Sequence, residues 1–460
     1  MMRVVAVCVG LMAGFVQAQT LTKHEVRAID IFEQLIEINT TDSVGDNTAA
    51  ANAMARRLLD AGFPAEDVRV IAPAPRKGNL VARYRSPAPT GRPVLFLAHI
   101  DVVEADPEDW TVPPFEFLER DGYFYGRGTT DDKDEAAIGI ANFIRLREEG
   151  FQPNRDIILA LTADEEGGAH NGVQFLLAEH RDLVDAEFVV NEGGGGAIID
   201  GRHAGQSVQA AEKVFQSYTL EVTNRGGHSS IPRSDNAIYQ LAAALGRIEA
   251  HRFPVQLNEV TRAYIRQSAA TRPADMTACY LALLEPKPDA AAAEFFADYP
   301  SMNAMLRTTC VATELEAGHA ENALPQRAKA TVNCRILPGI EPESVRQTLT
   351  EVSGDAGVSI TAVQEATPSP PSPLTEEVMA PIMDLTEQMW PGAIVVPSMS
   401  TGATDGLYFR NAGIPVYGVS GIFGEIDDVR AHGRDERILK RSFLDGLEFL
   451  YRLARTYGSP

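Results

Sequence analysis

The sequence predicts an α/β fold: a doubly wound, mostly parallel sheet that carries the chemistry, with an inserted α+β segment. Three observations predict it. Short apolar runs rich in Val, Ile and Leu recur as LFLAHID (95–101), IILALTADEE (157–166), EFVVNEGGG (187–195) and IPVYGVS (414–420), the pattern of strands covered by helices on both faces. Helical spacing alternates with these runs, as in a βα-repeating architecture. Near Lys213 the pattern changes to FQSYTLEVTN, whose polar and apolar residues alternate as in a half-exposed antiparallel strand.

Taken in order, residues 1–18 hold Arg3, an apolar run over 4–15 and Val16-Gln17-Ala18, the pattern of a cleaved signal peptide. A periplasmic or secreted protein with no membrane span is expected, since the apolar stretch is too short to cross a bilayer. Two helices follow over 24–59, broken by the polar turn 40–46. After the first strand and a Pro-rich loop (110–117), YFYGRGTTDDKDEAAIGIANFIRLREEG predicts a strand end, a glycine turn and a helix ending at Gly150.

The insert spans 213–367, with a helix over 236–248, strands over 310–315 and 327–337, a helix over 341–352 and a strand over 358–363. It closes on TPSPPSP (367–373), a stiff connection suited to a boundary and to a hinge. The catalytic domain is therefore expected over 19–212 and 368–460.

At 460 residues with 45% apolar content, the chain exceeds one ordinary hydrophobic core. Its formal charge of −22 argues against nucleic acid or an anionic membrane surface as a partner, because phosphate contacts need clustered Lys and Arg. Cys279, Cys310 and Cys334 remain beyond the leader, an odd number that allows one disulfide and requires none.

The apolar runs matter most for where they end. Ligands of open α/β sheets bind at the carboxyl ends of the strands, and there the chain places His99, Asp101, Glu165, Glu166 and Glu192, with the fourth run leading towards His432. A hydrolytic dinuclear site needs nitrogen and oxygen ligands, a bridging carboxylate and a base beside a water. A lone His at a strand end is usually structural, but His99-x-Asp101 followed by further acids at strand ends is not a lone His. Asp101 stands where it can hold the second ring nitrogen of His99. Asp131 is the candidate bridge, because the glycines of GRG let the backbone bend sharply. Asp132 and Asp134 are its neighbours, and a helix cap is its plainer role. Glu165 and Glu166 suit a division of labour, one binding metal and the other taking a proton. Glu192 precedes four glycines that permit close backbone approach.

Together AHIDVV, GRGTTDDK, TADEE, VVNEGGG, RGGHSSIP, ENALPQRAKATVNCRILPG, STGATDG and HGRDERI resemble, in the same order, the zinc-dependent aminoacylase, glutamate carboxypeptidase and succinyl-diaminopimelate desuccinylase superfamily. The resemblance implies two zinc ions per subunit, a donor set that also suits cobalt or manganese. It implies that His99 and Glu192 complete opposite metal sites with Asp131 bridging, that Glu166 and His432 are the remaining ligands, that Glu165 is the general base, and that Asp101 orients His99. It further implies an insert that acts as a lid and forms a homodimer, with His228 reaching the partner's site. Asn322 and Arg335 match substrate-binding lid positions, and Gly402 and Thr404 a substrate-contacting loop. Ala98 and Asp134 stand where glycine is common in the family. The expected reaction is hydrolysis of an amide bond beside a free α-carboxylate by a carboxypeptidase or dipeptidase. An N-acyl-amino-acid amidohydrolase is the alternative, and a non-catalytic peptide-binding protein the reading from a different class.

Overall fold

Helix Lys23–Glu37 opens on a capping box between Thr22 and Glu25 and buries Ala28, Ile31, Phe32, Leu35 and Ile36, the i, i+3, i+4, i+7 stripe of a helix lying on a core. Helix Asn47–Asp60 starts where the Asp46 carboxylate accepts from Ala49 N at 3.0 Å. Both precede the sheet they cover. The computed structural model describes residues 20–459, so the leader read at 1–18 lies outside the described residues.

Strands Ile157–Thr162, Val94–His99, Phe188–Asn191 and Val416–Gly418 lie side by side in that order, all parallel. Their side chains alternate between two cores. Leu159 and Leu161 pack with helices Lys133–Glu148 and Lys440–Tyr457, while Ile158 and Ala160 pack with Val173, Leu176 and Phe409 on the opposite face. This is why the runs are continuously apolar: a strand covered on both faces has no polar side. The sheet becomes antiparallel at Asn79–Tyr84 and Val68–Ile71 on one side and at Arg202–Glu212 towards the other. Strand Arg202–Glu212 carries no apolar alternation, and burial of Gln206 and Gln209 explains its silence in the sequence.

The insert forms its own four-stranded antiparallel sheet in the order Thr309–Ala317, Arg327–Ile336, Val214–Thr223, Val358–Ala362. Helices Ala237–Ala250 and Pro342–Ser353 cover it around Tyr218, Leu220, Leu241, Val332 and Leu349. Cys310 and Cys334, directly paired across two strands, form a disulfide, and Cys279 is free.

The helices Glu259–Ala269, Ala274–Leu283, Ala290–Phe295 and Pro300–Leu306 lie within the segment assigned to the insert by sequence. Their buried residues, among them Val260, Ile265, Leu283 and Leu306, instead join the core of the large sheet. The Pro-rich connection is likewise anchored to that sheet: Ser372 N donates to Ala210 O at 2.7 Å and Ser372 Oγ to Val416 O at 2.8 Å. Among the described residues no helix is long and apolar enough to cross a membrane.

Candidate dinuclear metal centre and substrate cleft

Because the central strands are parallel, their carboxyl ends share one edge, and five candidate metal donors converge there together with Glu165. His99 ends its strand and is 2% exposed. Glu165 and Glu166 follow strand Ile157–Thr162, and Glu192 follows Phe188–Asn191. Asp131 sits two residues before helix Lys133–Glu148, and His432 lies in a loop with φ +62°.

His99 Nε2 is 2.9 Å from Asp131 Oδ1, and His432 Nε2 is 3.0 Å from Asp131 Oδ2 and 2.8 Å from Glu166 Oε1. His99, Asp131 and Glu192 each offer a ligand atom within 4.8 Å of the others, and so do Asp131, Glu166 and His432. Asp131 belongs to both groups and turns one oxygen to each, the arrangement of a bridging carboxylate, but His99 and Glu192 fall in the same group and not at opposite metals as the resemblance implied, because their strands are neighbours in the sheet. The glycines after Glu192 make this approach feasible: a Cβ on Gly194 would lie 1.9 Å from the Gly418 carbonyl oxygen.

Asp101 has a broader role than the sequence suggested. Its backbone carbonyl, at 3.1 Å, is the partner of His99 Nδ1, whereas its carboxylate oxygen stands 3.6 Å away. That carboxylate accepts from Glu165 N at 3.1 Å and Glu166 N at 2.9 Å. Asp101 therefore ties the His99 strand end to the loop bearing both glutamates.

The electrostatics explain what such a cluster is for. Burial pushes Glu165 up to about 10 and Glu192 up to about 8. The hydrogen bond to Asp131 raises His432 to about 9, against its own desolvation. Asp131 is held well below the usual carboxylate range: burial opposes this, but its contacts with His432 and His99 prevail. Several carboxylates crowded out of water favour either protonation or a cation. The mixed imidazole and carboxylate donors, in two triads sharing one bridge, fit a pair of divalent ions.

Beside the metal triads lies a cleft of about 390 Å³ lined by Glu165, Glu166, His432, Phe215, Arg335 and Tyr408 among others. Arg335 is half-buried, its guanidinium 4.7 Å from the Phe215 ring centre, and burial lowers its pKa. It has no carboxylate partner among the described residues, unlike Arg410, which is buried against Glu212. Gly402 and Thr404 also line the cleft, but the Thr404 hydroxyl already donates to Glu212 Oε2 at 3.0 Å. His228 and Asn322 lie elsewhere. His228 is exposed on a two-residue strand paired with Ala323–Leu324, its Nδ1 2.8 Å from Ser230 Oγ, while the Asn322 carbonyl accepts from Ser229 N at 3.0 Å.

The structure adds residues that sequence reasoning missed. Asp405, in the STGATDG stretch, is buried at the cleft, pushed up to about 7 by burial, and accepts from Asn171 Nδ2 at 2.6 Å. Phe215 enters the cleft because it is the register partner of Arg335. The polar alternation of its strand was visible, but the register was not.

A family model described as Peptidase family M20/M25/M40 matches residues 95–456. The chain belongs to this family. An N-fatty-acyl-amino acid synthase/hydrolase of Xenopus tropicalis is 34% identical over 373 residues, 78% of this chain and 72% of the relative. A probable carboxypeptidase S-like protein of Dictyostelium discoideum is 29% identical, over 82% of this chain and 74% of its own. Among solved structures, an M20 family metallo-carboxypeptidase of Sulfolobus solfataricus superposes with a TM-score of 0.70 at 19% identity, covering 94% of this chain and 99% of that one. The M20 fold, a large mixed sheet with a separate antiparallel sheet domain, is thereby established. One solved structure of the family, the Bacillus subtilis YXEP protein, described as a dinuclear metal binding peptidase, superposes with a TM-score of 0.59 at 13% identity, covering 94% of this chain and 98% of that one.

Proposed function

We propose that this M20 hydrolase cleaves the amide bond joining an acyl group to an amino acid with a free α-carboxylate, acting first as a carboxypeptidase or dipeptidase. One observation carries the reading: Arg335, without a carboxylate partner among the described residues, shares a cleft with Glu165 and the proposed metal ligands Glu166 and His432. A guanidinium grips a carboxylate through two parallel hydrogen bonds, which would hold the scissile amide of a short substrate near Glu165.

Two zinc ions held by His99, Asp131, Glu166, Glu192 and His432, or cobalt or manganese in their place, would supply Lewis acidity towards carbonyl and water. Glu165 takes the proton of the attacking water and returns it to the leaving amine. Its place supports that role, since Glu165 lines the cleft beside Glu166 and His432. Asp101 holds the Glu165 backbone during both transfers. His228 and Asn322 are assigned to the partner subunit's cleft, where His228 would donate to the carbonyl oxygen. Exposed Val311 and Leu315 on edge strand Thr309–Ala317 support a lid-mediated dimer. Gly402 and Thr404 shape the cleft floor through their backbone. Export to the periplasm or medium is supported by the N-terminal pattern and by the Cys310–Cys334 disulfide.

A second reading, hydrolysis of N-acyl amino acids, is favoured by the 34% identical relative. Amine release from dipeptides and N-acyl amino acids, each beside its carboxyl-amidated analogue, tests both. Cleavage restricted to free acids, abolished by chelator and by Glu165→Gln, supports the mechanism, and the preferred half of the panel chooses the substrate. A folded, metal-loaded protein that turns over nothing but binds peptide would favour the non-catalytic binding protein.

A further inference from the structure

Three of the five metal ligands are placed by the sheet: His99 and Glu192 sit at or next to strand ends, and Glu166 follows strand Ile157–Thr162 in a loop held by Asp101. Asp131 and His432 are not. They occupy irregular loops about 300 residues apart in sequence, yet their side chains meet at 3.0 Å. We infer that the buried Arg127–Glu436 pair staples these two loops together and so sets the second metal position, the triad Asp131, Glu166 and His432. This rests on the metal-site reading above.

Glu436 is fully buried. Its Oε1 accepts from Thr130 N at 2.8 Å and Thr130 Oγ at 3.1 Å, and its Oε2 from Gly128 N at 3.1 Å and Arg127 Nη1 at 2.5 Å. Arg127 Nη2 turns the other way and donates to the carbonyls of Gly433, at 3.0 Å, and His432, at 3.4 Å. Gly126 N donates to the Glu436 carbonyl at 3.1 Å. Thr130 immediately precedes Asp131, so the pair grips one loop next to the bridging ligand and the other at His432 itself.

A buried ion pair alone is weak evidence of anything beyond packing. The distribution of partners distinguishes this one: every side-chain hydrogen bond it makes ends on 126–130 or 432–436. Asp435 separately accepts from Thr111 N at 2.8 Å and Thr111 Oγ at 3.0 Å, so the His432 loop keeps an outward anchor when the staple is cut. His99 and Glu192 receive nothing from the pair. Asp131 serves both metals but stays held 2.9 Å from His99 Nε2, whereas His432 loses the donation from Arg127 to its carbonyl, so losing the pair should weaken the second metal more than the first. Arg127 and Glu436 are thus positioning residues that act through ligands they do not themselves replace.

Stepwise zinc affinities of the metal-stripped mature protein, measured by competition with a chromophoric chelator, test this. Wild type should take two zinc ions. Glu436→Gln should weaken one of them by about 10–100-fold and the other, which shares only the bridge Asp131, by clearly less. The double variant Arg127→Met with Glu436→Gln, which leaves no unpaired buried charge, should behave alike if the single variant fails to fold. Added to His432→Ala, Glu436→Gln should cause little further loss, because both act on the same zinc. Folded variants with both affinities unchanged, or both equally weakened, overturn the staple. A wild type that binds fewer than two zinc ions overturns the site reading and the staple with it.

Discussion

Replacing Arg335 with methionine removes the cleft's unpartnered cation while preserving much of the length that packs on Phe215. Arg335 is half-buried, stands 4.7 Å from that ring and has its pKa lowered by desolvation, so a carboxylate meets it in a partly dry setting. Hydrogen bonds to a charged group contribute about 1.5–3 kcal/mol. At about 1.4 kcal/mol per tenfold, that is a loss of roughly 10- to 150-fold in kcat/KM for a free-acid substrate. The amidated analogue cannot make the ionic pair and should lose little. The assay is kcat/KM for wild type and Arg335→Met on both members of an acid and amide pair, which forms a double-mutant cycle between protein and substrate. Wild type should prefer the acid by about the same factor, and the variant should lose most of that preference. An equal fall on acid and amide would show that Arg335 supports only the fold of the cleft and would refute the carboxylate grip.

Further outcomes follow from the same contacts. Glu165→Gln should lower kcat by about 10²–10⁴ while zinc content by elemental analysis stays at two per subunit. Chelator should abolish activity of the wild type, and added zinc should restore it. Gly194→Ala should destabilise the protein by about 1–3 kcal/mol or prevent folding, since the new Cβ meets the Gly418 carbonyl at 1.9 Å. Gly246→Ala, in a helix with no atom within 4 Å of the new methyl, should raise stability by about 1 kcal/mol; urea melts compare the two. Glu148 accepts from Arg27 and Lys23, which link helix Lys23–Glu37 to helix Lys133–Glu148 and hold the carboxyl down to about 2. Since its folded pKa is depressed, its contribution is present above the unfolded value of 4.5 and lost as pH falls towards 2. Stability of Glu148→Gln should therefore converge on wild type at acid pH, and a constant gap from pH 7 to 3 would contradict this.

Much of the site was legible because the chemistry sits at the ends of apolar runs. His99, Glu165, Glu166 and Glu192 follow strands whose two-sided burial leaves a clear signature, and a strand end has one location in a parallel sheet. Asp131 was less secure, with Asp132 and Asp134 beside it. The structure separates them by direction: Asp131 meets both histidines, while Asp132 accepts from His99 N at 3.1 Å. Asp101 does stand at the second ring nitrogen of His99, but a two-residue spacing cannot tell whether its carbonyl, at 3.1 Å, or its carboxylate, at 3.6 Å, is the nearer partner. The helices between 259 and 306 were passed over because Ala-rich and mixed stretches give little periodic contrast, and their attachment to the large core depends on partners distant in sequence.

The sequence by itself determined the central parallel strands, the donor types, the order of motifs and hence the M20 family, because these depend on local burial pattern and residue chemistry. Tertiary structure alone decided that one carboxylate serves two triads and that Arg335 shares a cleft with Glu165. It also decided that Thr404 is occupied by Glu212 and that Glu436 reaches back to Thr130. Each of these is a distance between segments far apart in the chain, set by sheet order, strand register and packing, and no window of sequence contains it.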